Sequence, residues 1–258
     1  MIFKDLGIID YKTAWDYQEG LLQENVRVKS LIRSRESAVS SLQSAVGSWQ
    51  SVSEGDTANC QLPTANSELP TTHFFLLCEH PPVYTLGKSG NKENVLMSDD
   101  ELVQNNIEFF NTNRGGDITF HGLQQIVGYP ILDLEKYYTD IGKYLRNLEE
   151  LVILSIGEYG IKGQRSKGET GVWIEPGIGG RERKICAIGV RCSRWITMHG
   201  FALNVNTDLS YFNNIIPCGI ENKMVTSIEK ELGHKVDYEE VKQKIKRNFE
   251  VVFDSVLV

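Results

Sequence analysis

The hydrophobic period of this chain switches abruptly in its second half, and that switch limits the folds open to it. Over Asp140–Tyr159 the apolar positions Ile141, Leu145, Leu148, Val152, Ile156 and Tyr159 recur every three or four residues, the repeat of one helical face. Thr139 or Asp140 can cap its start, and Gly160 can end it in the left-handed conformation. The period then shortens. Gly171–Glu175, Lys184–Arg191 and Thr197–Val205 are β-branched and aromatic runs, punctuated by Gly177, Gly179, Gly180, Gly189 and Gly200. A second helical face returns over Tyr238–Val252, with Val241, Ile245, Phe249 and Val252. Interleaved in this irregular way, the elements predict an α/β (α+β) fold: a mixed β-sheet flanked by helices.

The first half is less regular. Leu21, Leu22, Val26, Leu31 and Ile32 predict an amphipathic helix over about 12–33. From Ser34 to Thr72 the chain is rich in Ser, Thr, Ala and Asn and poor in large apolar side chains, so this stretch reads as a surface insertion. Its scattered Val39, Leu42, Val46 and Trp49 leave two readings open, a helix continuing to about Val46 or disorder from Ser34. Phe74–Cys78 reads as a buried strand, stopped by Pro81-Pro82. We therefore expect one domain over 1–258, with the insertion at about 34–72.

Composition removes several function classes. The 258 residues suffice to bury a core without disulfides. Twenty-seven basic against 34 acidic residues give a net charge of −7, which argues against general nucleic-acid binding. No apolar run approaches the roughly 18 residues of a membrane span, and Met1–Asp5 lacks a signal-peptide layout. Cys60, Cys78, Cys186, Cys192 and Cys218 are irregularly spaced, which suits reduced thiols in a cytoplasmic protein.

Three clusters could carry chemistry. Arg114-Gly115-Gly116-Asp117-Ile118-Thr119-Phe120-His121-Gly122 lets backbone approach a ligand closely, or is simply a tight turn. Lys184 opens a strand, where a lysine is ordinarily a solvated end. It gains interest beside a thiol, because an ammonium stabilises a thiolate. Pro217-Cys218-Gly219 offers that thiol in a tight backbone with little steric cover, although lone cysteines are commonly inert. Other matches fail. Gly87-Lys88-Ser89 has Pro82 where a phosphate-binding loop needs its first glycine, and Gly177–Gly180 lacks strand-then-helix context. Cys186, Cys192, His199 and Cys218 lack the close pairs of a zinc site, so no metal is expected.

Taken in order, the segments Glu79–Gly87, Arg114–Gly116 with Thr119 and His121-Gly122, Gly128–Leu134, Gly171-Val172-Trp173, Lys184–Val190, His199–Asn204 and Pro217–Ile220 resemble the octanoyltransferases of protein lipoylation. The resemblance runs from Phe74 to about Ile228, and more loosely through the first helix. It implies the fold shared with biotin and lipoate protein ligases. It also implies transfer of an octanoyl or lipoyl group from octanoyl-acyl carrier protein to a lysine of a lipoyl domain, without cofactor. The acceptors would be 2-oxoacid dehydrogenase complexes and the glycine-cleavage H protein; no nucleic acid or membrane is involved. Cys218 matches the family's acyl-thioester nucleophile and Lys184 the lysine that activates it. Arg114, Gly115, Gly116, Asp117, Ile118, Thr119, Phe120, His121, Ala187, Ile188, Gly189, Gly200, Phe201 and Ala202 match its acyl-substrate segments. His121 is open to two readings, a substrate-orienting or proton-shuttling group and a satisfied structural histidine. An ATP-dependent ligase and a non-catalytic acyl or lipoyl-domain binder remain the alternatives.

Two departures stand out. The family's His-Gly-Pro-Gly-Gln loop here reads His121-Gly122-Leu123-Gln124-Gln125, so Gln124 would be strained if the glycine it replaces has positive φ. The second departure is the 34–72 insertion. Between Lys162 and Arg194, eight basic residues stand against Glu169, Glu175 and Glu182, a local charge of 8 − 3 = +5. That stretch predicts a basic rim for acidic partners, tested through Arg181 and Arg183.

Overall fold

A computed structural model describes residues 1–47, 71–216 and 224–258, with the side chains of 42–47 excluded. Ten strands and five α-helices follow one another among them. These are β1 (Ile2–Ile8), α1 (Tyr11–Gly47), β2 (Phe74–Glu79), β3 (Val83–Leu86), α2 (Asp99–Gln104), β4 (Glu108–Asn111), β5 (Ile118–His121) and β6 (Gln125–Ile131). After them come α3 (Ile141–Gly157), β7 (Val172–Ile174), β8 (Arg183–Ser193), β9 (Ile196–Asn204), β10 (Met224–Val225), α4 (Ile228–Leu232) and α5 (Tyr238–Val252).

The main sheet is mixed and seven-stranded, ordered β1-β2-β6-β9-β8-β10 with β7 paired to β8. β1 runs parallel to β2, while β2, β6, β9 and β8 are successively antiparallel. Alternation sorts the side chains onto two faces. Phe75, Leu77, Ile126, Phe201 and Leu203 point to one face and pack with α3 and α5. Leu76, Cys78, Val127, Tyr129 and Ala202 point to the other, beneath α1. A second sheet, ordered β4-β3-β5, carries its own apolar cluster of Tyr84, Leu86, Ile118 and Phe120.

The ends of α3 and α5 follow the chemistry expected of caps. Asp140 accepts a hydrogen bond from the Lys143 N–H, and Asp237 from those of Glu239 and Glu240. Gly160, at φ +75°, turns the chain back after α3. β8 and β9 are joined by Arg194 and Trp195, both at positive φ, the backbone of a type I′ two-residue hairpin.

The first helix continues past residue 33 to Gly47, the helical one of the two readings left open for that stretch. Its packed face differs from expectation: it is not the Leu21–Ile32 stripe, since Leu31 is 40% exposed and only Leu22 of that set is fully buried. The buried face is Tyr11, Ala14, Gln18, Leu22, Asn25 and Lys29. Its polar members are all bonded inward. Gln18 Oε1 accepts from the His199 N–H, Asn25 exchanges two bonds with the Thr72 backbone, and Lys29 pairs with Asp133 at 2.6 Å and Glu135 at 2.9 Å. A helix covering a polar site does not need an all-apolar stripe, so the usual pattern misleads. Most of the proposed 34–72 insertion lies outside the described residues.

Candidate active site

A cavity of about 240 Å³ opens between the α1-facing side of the main sheet and the small sheet. Its floor is made by small side chains. Val127, Ala202 and Ala187 form one row across β6, β9 and β8, with Gly200 and Gly189 paired in the next. Neither glycine could be replaced without movement. A Cβ on Gly200 would lie 2.1 Å from the Gly128 carbonyl oxygen, and one on Gly189 2.8 Å from that of Gly115.

Lys184 reaches this cavity because of a bulge. Along β7, Val172 and Trp173 are neighbours, yet they pair with Cys186 and Lys184 of β8, so Ile185 is the extra residue. Strict alternation from Ala187 and Gly189 would send Lys184 to the opposite face; one inserted residue reverses that parity. Its backbone is fixed from the other edge too, where Val225 of β10 pairs with it and the Thr226 N–H donates to its carbonyl at 2.9 Å. The adjoining wall, Gly168–Thr170, is tethered to α3 by buried Glu149, which accepts from the Gly171 N–H and Arg165 Nε.

The far side of the cavity is a directed hydrogen-bond chain. Buried Arg114 donates to the Thr85 carbonyl (2.6 Å) and hydroxyl (2.9 Å). That hydroxyl lies 3.3 Å from His121 Nε2, while His121 Nδ1 lies 2.9 Å from Gln125 Oε1. Gln125 Nε2 donates to the Phe120 carbonyl and to Asn204 Oδ1, and Asn204 Nδ2 to the Thr226 carbonyl. The amide donors orient Gln125, which makes His121 Nδ1–H the donor and leaves Nε2 to accept from Thr85. Thus His121 is hydrogen-bonded on both nitrogens while its ring lines the cavity. Burial, then the nearby imidazole of His80 and cation of Arg114, hold His121 well below the usual histidine range. His199, buried and facing Arg114 and Arg191, is pushed down to about 3. Burial lowers His80 to about 4 while its rings bond the Ile9 carbonyl and the Tyr129 hydroxyl. All three imidazoles are neutral near pH 7.

The cavity collects Lys184 together with Arg114, Gly116, Asp117, Ile118, Thr119, His121, Ala187, Ile188, Gly189, Gly200, Phe201 and Ala202. Two expected substrate residues do not line it. Gly115 is held against β8, its N–H donating to the Val190 carbonyl at 2.9 Å. Phe120 points into the small sheet's own cluster, stacked 4.6 Å from Tyr211, because alternation along β5 turns it away from Thr119 and His121. Cys218 lies outside the described residues, as does Cys60. Tyr11, Gln125, Tyr129, His199 and Asn204 line the cavity without having been singled out as site residues. All but Tyr11 sit inside or beside the quoted motifs, whereas nothing in the local sequence marks Tyr11 or Gly168–Thr170.

Neighbouring groups bear on other segments read above. The Gly87–Ser89 segment is a packing loop: the N–H groups of Gly87, Lys88 and Ser89 donate to the carbonyls of Asp117, Arg114 and Gly116. No group of metal-ligating side chains occurs among the described residues. Four of the eight basic residues of the rim are ion-paired. Arg165 pairs with Glu149 and Glu150, Arg181 with Glu175, Arg183 with Glu175 and Glu231, and Arg191 with Glu19. Counting charges along the stretch missed acids brought in from α1, α3 and α4.

Gln124 does take the left-handed conformation, at φ +60°. Its N–H donates to Glu79 Oε2 at 2.6 Å, and its carbonyl accepts from the Val205 and Asn206 N–H groups and the Thr207 hydroxyl. The surroundings fix that conformation, and Gln124 itself does not line the cavity.

Residues 61–250 match the family model described as the lipoyl protein ligase A/B catalytic domain. The chain is also 52% identical over 255 residues to the octanoyltransferase of Christiangramia forsetii, covering 98% of this chain and 96% of that one. The chain belongs to this family. The octanoyltransferase of Flavobacterium psychrophilum is 51% identical over 257 residues, covering 99% and 97%. Membership makes the protein an acyltransferase of lipoylation. Since these matches span nearly the whole chain, the 34–72 stretch is not peculiar to it. Among solved structures, lipoate-protein ligase A bound with ATP superposes with a TM-score of 0.57 at 16% identity, covering 72% of this chain and 76% of that one. A bipartite lipoate protein ligase from Thermoplasma acidophilum gives 0.56 at 18%, covering 81% and 78%. They share the fold of the family. Among the described residues no helix is long and apolar enough to cross a membrane.

Proposed function

We propose that this acyltransferase moves an octanoyl group from acyl carrier protein to a lysine of a lipoyl domain through a thioester on Cys218, with Lys184 handling the protons. The observation that carries the reading is the β8 bulge, which turns a lysine onto the apolar floor of the cavity beside Val225, seven residues after Cys218 in sequence. The described cysteines suit the role poorly, since burial pushes the thiols of Cys78, Cys186 and Cys192 up, away from thiolate character.

The steps balance without nucleotide. The Cys218 thiol gives its proton to Lys184, and the thiolate attacks the donor thioester. The new S–C bond forms as the carrier's S–C bond breaks, and the Lys184 ammonium protonates the departing thiolate. The acceptor amine then attacks the acyl-enzyme, Cys218 leaves as thiolate, and Lys184 takes the proton shed by the amine. Thioester exchange is near neutral and amide formation is downhill. Burying the acyl tail on the Ala187–Ala202 floor is worth about 5 kcal/mol, at roughly 0.8 kcal/mol per methylene.

The acceptors in this reading are lipoyl domains of 2-oxoacid dehydrogenases and the glycine-cleavage H protein, in the cytoplasm. Residues 1–258 act as one catalytic domain. Docking of acidic partners is better probed at exposed Lys162 and Lys167 than at Arg181 or Arg183, which are paired. The test is octanoyl transfer from carrier protein to a lipoyl domain, assayed with and without ATP. Transfer without nucleotide, lost in Cys218→Ala, supports the reading. An absolute ATP requirement supports a ligase, and binding without transfer supports a non-catalytic role.

A further inference from the structure

We propose that Trp173 is a positioning residue that holds the Lys184 amine in its charged form at the cavity floor. The inference rests on the reading of Lys184 as the proton-handling group.

Trp173 lies on β7 directly opposite Lys184 and is 1% exposed. Lys184 Nζ sits 4.6 Å from the centre of its ring. The contact is built by the backbone at three points. The bulge at Ile185 gives the two side chains a common face. Trp173 is fixed from behind by paired bonds to Gln164, at 2.8 and 2.9 Å. Gly171, at φ +115°, leaves open the space beside the lysine stem; a Cβ there would come within 2.5 Å of the Cys186 carbonyl oxygen and 3.7 Å of Lys184 Cε.

An indole face attracts an ammonium and not a neutral amine, and more strongly where water is excluded. Trp173 therefore favours the state in which the nucleophile's S–H proton has already moved to Lys184 Nζ. That state holds a thiolate ready to attack and an ammonium ready to protonate the departing thiolate. No other reactant is needed. A tryptophan serving only as packing would support the cavity without caring whether the amine is charged, and this difference is measurable.

The test compares Trp173→Leu and Trp173→Phe with the unaltered protein in single-turnover acylation by octanoyl carrier protein from pH 6 to 9. In Trp173→Leu the acylation rate at pH 7 is expected to fall about tenfold, equivalent to about 1.4 kcal/mol, with the donor's KM nearly unchanged. The deficit should shrink toward pH 9, where the thiol ionises unaided, and Trp173→Phe should fall between. Competitive acetylation read by mass spectrometry should show Lys184 more reactive at neutral pH in both variants. A pH-independent loss equal in the two variants overturns the proposal, as does unchanged Lys184 reactivity. Should Trp173→Leu fail to fold, Trp173→Phe alone gives the same two readouts. Lys184→Met separates the layers: full acylation there defeats the role given to Lys184, whereas abolished acylation with flat Trp173 profiles defeats only the positioning role.

Discussion

The two faces of the main sheet share strands but not chemistry. Toward α3 and α5 the filling is apolar: Phe249 stacks on Phe75 with ring centres 4.0 Å apart, and Leu148, Val152 and Ile245 are fully buried. Toward α1 and the small sheet the chain buries Arg114, Lys29, three histidines, Gln125 and Asn204, each held by named partners. The first face depends on volume. The second depends on completeness, because a buried polar group is tolerated only while its partners remain. The cavity opens on the second face, and the first supplies the rigidity behind it.

That contrast can be tested from both sides. The largest effect belongs to the apolar face. Phe249→Ala should cost about 4 kcal/mol by chemical denaturation, while the rate per folded molecule stays within about twofold because the ring lies behind the sheet. Next comes Lys29→Met, which strands Asp133 and should cost about 3 kcal/mol. Adding Asp133→Leu should return much of that loss; no recovery would mean that the face is not governed by pairing.

The pH dependence follows. His80 and His199 have folded values near 4 and 3, and His121 is also depressed, all against an unfolded value near 6.5. Between those limits the unfolded chain binds protons that the native one does not. Stability is therefore full above about pH 6.5 and falls as the medium is acidified toward pH 4, by about 1.4 kcal/mol per pH unit for each histidine. Denaturation at pH 7, 6 and 5 measures the slope, and a flat profile would remove the buried neutral imidazoles from this account. The smallest effect is expected at Gln124. Relief of its left-handed strain in Gln124→Gly is offset by the lost bond from Asn206 to its side-chain oxygen and by glycine's entropy, so stability should move by less than about 1 kcal/mol.

The same division explains what could be read from the sequence. The apolar face announces itself: α3, β7, β8, β9 and α5 fall at or within a few residues of the runs whose periodicity marks them. The α1 face does not. Gln18, Asn25 and Lys29 are ordinary surface types until tertiary partners bury them. β1 leaves little pattern because none of its side chains is fully buried, and the small sheet's strands are four residues each. Of the site, the glycine pairs and Lys184 were visible as motifs, but the bulge that turns Lys184 inward appears only in the pairing of β7 with β8. Half of the basic stretch was misjudged for the converse reason: Arg165, Arg183 and Arg191 pair across the fold with acids that a linear charge count does not see, and Arg181 pairs with Glu175.

The central claim is an acyl group carried on one sulfur and controlled by one amine. Intact mass after brief mixing with octanoyl carrier protein in the absence of ATP, followed by peptide mapping, addresses it directly. The expected result is a single added octanoyl group on the peptide containing Cys218, absent in Cys218→Ala and formed at least about a hundredfold more slowly in Lys184→Met. An unmodified protein, or an octanoyl group that persists in Cys218→Ala, would contradict it.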